Sequence, residues 1–153
     1  LSTSRQIITM RNLLIISFLM CSSFSFGQEK TPFSSLDVFE LEWVSDPQIS
    51  PDGKQVVYVR SGMDIMEDRR QSRLWLVDAK GENNQALTRK AVNESNPIWS
   101  PKGDEIAFLA SSPSKGKEIY IYDIKTKKAA RISNLASSPR NLSWSPDGKW
   151  LAF

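Results

Sequence analysis

The sequence has no histidine, and its one cysteine is Cys21. Without an imidazole base no Ser-His-Asp triad can be completed within these residues. A Gly-x-Ser-x-Gly nucleophile elbow is absent as well. A single cysteine excludes an internal disulfide. Cys21 lies in an N-terminal apolar segment, so the rest of the chain has no thiol nucleophile and none of the usual nitrogen or sulfur ligands of zinc. Phosphate loops and dinucleotide-binding glycine patterns are missing too. No catalytic, cofactor-binding or metal-binding residue is therefore assigned, and no cofactor is expected.

Excess charge is also lacking once the N-terminus is set aside. Two of the 20 basic residues, Arg5 and Arg11, fall in residues 1–27, which leaves 18 against 17 acids, a net charge of +1. No basic stripe carries interleaved aromatics, so a nucleic-acid partner is not expected. Lys115-Gly116-Lys117 and Lys125-Thr126-Lys127-Lys128 read as solvated charges between strands. Asn93-Glu94-Ser95 and Asn141-Leu142-Ser143 match a glycosylation pattern, which by itself assigns no function.

The N-terminus has the layout of a secretory signal. Arg11 follows Met10, Leu13 to Met20 form an apolar run, and Ser25 and Gly27 offer small residues for cleavage before Gln28. The run is shorter than the ~20 residues that span a bilayer. An uncleaved anchor is the alternative, and a lipoprotein at Cys21 is disfavoured by the bulk of Met20. Residues 1–9 precede the expected start. The mature protein is expected to be exported, periplasmic or extracellular, touching membrane only through the signal segment.

What the chain does have is a repeated turn. Ser50-Pro51-Asp52-Gly53-Lys54, Ser100-Pro101-Lys102-Gly103-Asp104 and Ser145-Pro146-Asp147-Gly148-Lys149 stand 50 and 45 residues apart. Proline presets the first central position of such a turn, aspartate bonds back to the backbone, and glycine takes the left-handed position. Lys102 in place of aspartate should cost the second turn a local bond. A short strand follows each copy: Val56-Val57-Tyr58, Ile106-Ala107-Phe108, Leu151-Ala152-Phe153. Leu74-Trp75-Leu76-Val77-Asp78 and Ile119-Tyr120-Ile121-Tyr122-Asp123 also keep the 45-residue offset, as do Ala86-Leu87-Thr88 and Arg131-Ile132-Ser133. Pro97-Ile98-Trp99 and Leu142-Ser143-Trp144 do the same, with Trp99 expected in the core.

Four short strands per unit at this period predict an all-β fold, a β-propeller of four-stranded WD40-like blades. The expected organisation is upstream residues and signal peptide over 1–27, and a lead with a short helix over 28–45. Blade 1 then covers 46–91, blade 2 covers 92–137, and blade 3 begins at 138–153. Because the third copy runs to the last residue, the ring is expected to be incomplete here and the protein longer. Ser34 to Asp37 has capping-box spacing, which predicts a two-turn helix with Val38, Phe39 and Leu41 on one side, covering an edge of the first blade. The first unit is five residues longer, and the excess falls at Gly62 to Ser72, read as a polar loop with Asp64 exposed. Asp78 and Asp123, which recur after the aromatic strand, could suggest calcium, but the favoured reading is that each accepts N–H bonds from its own turn.

Taken together, Asp37-Val38-Phe39, Val44 to Lys54, Arg73 to Asp78 and Gln85 to Thr88 resemble the N-terminal propeller of the prolyl oligopeptidase family of serine peptidases. The resemblance is closest to secreted bacterial dipeptidyl peptidases and acylaminoacyl-peptidase-like members. It implies a propeller set over an α/β-hydrolase domain that carries the serine, aspartate and histidine, and an intramolecular contact between the two. The substrate implied is a short peptide, with the blades gating access to it. Some members hold the substrate's amino terminus through propeller carboxylates; by charge alone Glu67 and Asp68 are the candidates here, against a favoured reading of a solvated loop paired with Arg69 and Arg70. The turn repeats are shared with the TolB periplasmic propeller, so a non-catalytic propeller that binds a protein or envelope component is the alternative. A sugar-polymer or sensor propeller is a third.

Overall fold

In a computed structural model the chain is built from antiparallel sheets. The structure describes Pro32 and residues 34–88, 92–112 and 116–153. The expected signal segment, residues 1–27, and Lys115 lie outside the described residues. A one-turn 3-10 helix, Asp37–Glu40, leads into strands β1 (Glu42–Ile49), β2 (Gln55–Asp64), β3 (Arg69–Asp78) and β4 (Gln85–Ala86). The second sheet holds β5 (Val92–Trp99), β6 (Glu105–Ser112), β7 (Gly116–Asp123) and β8 (Lys128–Arg131), and a third pairs β9 (Ser143–Trp144) with β10 (Leu151–Ala152). Each four-stranded sheet keeps its strands in sequence order, β1-β2-β3-β4 and β5-β6-β7-β8. This all-β arrangement is the propeller type of fold that the repeat predicts, and the first two sheets are termed blade 1 and blade 2.

The helix is shorter than expected. Asp37 accepts from the Ser34 amide at 2.6 Å and from its hydroxyl at 3.1 Å, but the Ser34 hydroxyl accepts from Leu36 rather than from a helical turn. Half of the capping box forms. Leu41 is already extended, and pairing of Glu42 with Gly62 draws the following residues into β1. The sheet ladder outcompetes a second helical turn.

The proline turns are built as the sequence implies, with one substitution of roles. Gly53, Gly103 and Gly148 have φ of +72°, +73° and +70°. The Ser50 hydroxyl donates to Asp52 at 2.7 Å and accepts from the Gln55 amide at 2.9 Å. In the second turn Ser100 donates instead to Asp104 at 2.7 Å, so the lysine at position 102 does not cost the serine its acceptor. Successive turns also stack. A Cβ built on Gly103 would lie 3.4 Å from Pro51 Cδ, and one on Gly148 would lie 3.5 Å from Pro101 Cδ.

A second period lies in the first strands. Asp46, Asn96 and Asn141 have φ of +50°, +53° and +53°, each four residues before the turn serine. Asp and Asn tolerate the left-handed region better than other side chains. At the first two sites the ladder skips a residue, between Ser45 and Gln48 and between Ser95 and Ile98, which makes a β-bulge.

Blade 2 is buried on both faces. Val57, Val59, Leu74 and Leu76 of blade 1 pack with Ile106, Phe108 and Tyr122 of blade 2. Ala107, Leu109 and Ile119, on the other side, pack with Leu142, Trp144 and Leu151. Trp99 is half-buried against the first cluster and donates its indole N–H to Gln48 O at 3.1 Å; the largest fully buried side chain is Phe108. Trp99 thus packs against the core as expected, with part of its ring exposed.

The long segment in the first unit is an ordered hairpin rather than a loop. Pairing continues from Gly62↔Gln71 through Met63↔Arg70 to Asp64↔Arg69. Asp64 accepts from the Met66 amide at 2.9 Å and the Glu67 amide at 3.2 Å, and Gln71 donates to its other oxygen. It is therefore a turn anchor. We predict that Asp64→Ala costs about 0.5–2 kcal/mol, as loss of a capping acceptor does, and that Gly103→Val costs more than Gly53→Val. Both valines bear the left-handed strain of roughly 1–2 kcal/mol, but only the one at 103 meets a proline, since nothing lies within 4 Å of a Cβ at Gly53. Urea denaturation of the full chain decides both, and equal midpoints for the two valine variants would show that turn stacking contributes nothing.

Candidate functional site

The sequence candidates are spread over separate places. Asp78 accepts from the Lys80 amide at 3.0 Å, the Glu82 amide at 2.7 Å and Asn83 Nδ2 at 2.9 Å. Desolvation pushes its pKa up, but these donors outweigh it and hold the carboxyl below its usual range. Asp123 accepts from the Thr126 amide at 2.6 Å, which lowers its pKa. Each aspartate thus serves its own turn. Among the described residues no three His, Cys, Asp or Glu side chains come together in a metal-binding group. Glu67 and Asp68 lie in the turn at the tip of the β2–β3 hairpin. Glu67 pairs with Arg69 at 3.6 Å, whereas Arg70 turns away.

Arg70 instead lies over the Trp43 ring, 4.8 Å from its centroid, and donates to Ser61 Oγ at 3.2 Å. Trp43 and Ser61 face each other across β1 and β2, and Ser61 pairs with Ser72 on β3. That face looks onto the seam with blade 2. There, Arg70 and Ser72 join Asp46, Glu94, Ser95 and Lys117 around an open groove of about 420 Å³. Lys117, expected to be a solvated loop charge, is half-buried at the start of β7 and donates its ammonium to Ser95 Oγ at 2.7 Å.

Glu94 is the residue that sequence reasoning missed. It is 0% exposed, yet it comes from a motif that reads as surface. A second bulge in β5, between Val92 and Ser95, with Asn93 at φ +57°, turns it off its own ladder. One carboxylate oxygen accepts from the Leu74 amide at 2.6 Å and the other from the Thr88 hydroxyl, both in blade 1. Its backbone carbonyl accepts from Ser72 Oγ at 2.8 Å. Burial pushes its pKa up, against the pull of the Leu74 and Thr88 donors. In blade 2 a different acid does similar work: Glu118, also 0% exposed, accepts from Ser133, whose hydroxyl in turn accepts from the Ile119 amide at 2.8 Å. Thr88 and Ser133 hold one repeat position, 45 residues apart, and that hydroxyl was the only signal of the site in the sequence.

Glu94 makes stability depend on pH with a definite sign. Its folded pKa is raised, so the folded state holds the proton more tightly than the unfolded state, where glutamate titrates near about 4.3. The contribution is present below that value and is lost as pH rises through the folded pKa. Glutamine can accept from Leu74 and donate to Thr88 without a charge. We expect the stability of Glu94→Gln relative to the parent to rise as pH increases from about 4.3 toward neutrality, and Glu94→Ala to be destabilised by about 1–3 kcal/mol for each donor left unsatisfied. Urea melts across pH check this; a pH-independent difference between the parent and Glu94→Gln would mean that Glu94 is not the titrating group.

Comparison with known proteins gives three kinds of likeness. A family model described as the TolB β-propeller domain, PD40, matches residues 40–153. The uncharacterized peptidase YuxL of Bacillus subtilis is 27% identical over 113 residues, which is 74% of this chain and 17% of that protein. The Tol-Pal system protein TolB of Albidiferax ferrireducens is 39% identical over 65 residues, 42% of this chain and 15% of that protein. Among solved structures, the acylaminoacyl peptidase of Pyrococcus horikoshii superposes with a TM-score of 0.66 at 19% identity, over 79% of this chain and 18% of that one. The last likeness shows the fold. The chain spans less than one fifth of the length of either of these curated relatives.

Proposed function

Because this chain belongs to the TolB β-propeller domain family and has a peptidase among its relatives, we propose that it is part of the propeller of an exported serine peptidase acting on short peptides. The extent of the peptidase likeness supports this reading most: it runs through 74% of the chain, against 42% to 54% for TolB proteins. In this reading a serine in a separate α/β-hydrolase domain attacks the peptide carbonyl, histidine takes its proton, and backbone donors hold the oxyanion. This chain supplies no histidine. Its part is to cover the catalytic domain, admit short or unfolded peptides, and present a surface to them. Export rests on the arrangement of Arg11, the apolar run and Gly27.

The TolB reading keeps a specific support, the higher identity of 39% over the stretch that aligns. Under it the propeller binds a protein or envelope component and performs no chemistry. The two readings part on one experiment. The complete product of the gene should cleave dipeptidyl or acylaminoacyl coumarins and lose that activity to a fluorophosphonate, while the 153-residue chain alone remains inert. The exported form should begin at Gln28. A full-length product that neither cleaves these substrates nor reacts with fluorophosphonate sinks the peptidase reading, and a mature chain retaining Phe24 sinks the cleavage site.

A further inference from the structure

We propose that the groove at the seam of the first two blades binds a single carboxylate of a short peptide, with Arg70 and Lys117 as the charged donors. The identification of the ligand as a peptide rests on the peptidase reading above. The carboxylate preference rests on the groove itself. Among the described residues neither cation has an acidic partner: the ion pairs there are Lys54–Asp52, Arg60–Glu42, Arg69–Glu67 and Lys149–Asp147. Neighbouring arginines at the hairpin thus have different fates. Arg69 pairs with Glu67, and Arg70 lies over the Trp43 ring with one N–H on Ser61.

A guanidinium has five N–H donors in a planar fork that matches a carboxylate. Stacking on an indole fixes that fork beforehand, which lowers the entropy lost on binding. Lys117 spends one of its three donors on Ser95, and two remain. The acids of the groove do not cancel these cations equally. Glu94 has both oxygens engaged by blade 1. Asp46 is exposed on the rim. Arg70 and Lys117 against the exposed Asp46 leave one positive charge, which a single carboxylate neutralises and a dianion such as phosphate exceeds. The volume of about 420 Å³ falls in the range of small-ligand clefts, enough for the end of a peptide.

The test is a calorimetric titration of the full chain with acetyl-Ala-Ala-Ala as the free acid and as its C-terminal amide. A third arm uses acetyl-Ala-Asp-Ala amide, which offers only a side-chain carboxylate, and a fourth uses inorganic phosphate. The free acid should bind at least about tenfold more tightly than the amide, as one charge-assisted contact requires. Binding of the third peptide would assign the site to side-chain as well as terminal carboxylates, and either carboxylate source supports the proposal. Arg70→Gln and Lys117→Gln should each weaken the acid by about tenfold, while Arg69→Gln leaves it unchanged. Equal affinity of the parent for acid and amide, with no binding of the aspartate peptide, overturns the proposal whether or not the variants fold. Phosphate binding at least as tight as the acid overturns it too. Because the titration requires no turnover, a protein inert toward coumarin peptides that still prefers the acid keeps this site and loses only the peptidase reading.

Discussion

Each blade has two apolar faces, and neither can be left in water without cost. Blade 2 shows the requirement met on both sides, with Ile106 and Phe108 against one neighbour and Ala107 and Leu109 against the other. Burying each large aliphatic or aromatic side chain is worth roughly 1.5–3 kcal/mol, whereas a hydrogen bond across the seam adds a net of about 0.5–1.5 kcal/mol. Apolar burial therefore holds the blades together. The polar contacts decide how they align.

Those contacts sit at the ends of the seam, where the apolar residues stop. At one end, proline of one turn lies against glycine of the next, whose left-handed φ at Gly103 and Gly148 favours glycine. Trp99 adds a hydrogen bond to Gln48 there. Its repeat partner Trp144 buries the same ring nitrogen without a partner among the described residues, so equal sequence positions are not equal in energy. At the other end the seam opens into the groove, and Glu94 ties β5 to blade 1. An apolar residue at 94 would leave the Leu74 amide and the Thr88 hydroxyl without their acceptor. The buried charge is thus a consequence of β3 outrunning the short strand β4.

The legible part of the sequence was local. Pro51, Gly53 and their repeats dictate a turn through their own backbone preferences, and the strand alternation after them assigns the faces. The helix was overestimated because Ser34 and Asp37 form half a cap while β1 captures the residues that would continue it. Lys102 looked like a loss because the replacement acceptor, Asp104, stands two positions later. Apart from the repeated hydroxyl of Thr88 and Ser133, the groove was not legible. Glu94 is buried by a bulge and by a contact 20 residues away in sequence, and Arg70 is placed by cross-strand geometry with Trp43. Periodicity carries no information about either. The left-handed residues Asp46, Asn96 and Asn141 did stand in register in the sequence, but an isolated Asp or Asn before a strand has too many other uses to be decisive.

The extra length of the first unit shows how such a repeat gains a new surface without disturbing its core. Strands β2 and β3 have ten residues each and β6 and β7 have eight. The connecting segments run over four and three positions. Two residues added to each strand and one to the turn account for the five-residue excess. The added residues pair with one another at the far end of the hairpin, so core pairs such as Val57↔Leu76 and Val59↔Leu74 keep their register, and with side chains alternating at a period of two every core residue keeps its own face. The same arithmetic carries Arg70 beyond the apolar layer while keeping it on the seam face with Ser72 and Leu74. A cation placed on a paired strand is held by the ladder, whereas one on an unpaired loop would have to be ordered by its ligand. That difference is why the extension of the hairpin, rather than the charge of its tip, makes the groove a place where recognition can be built.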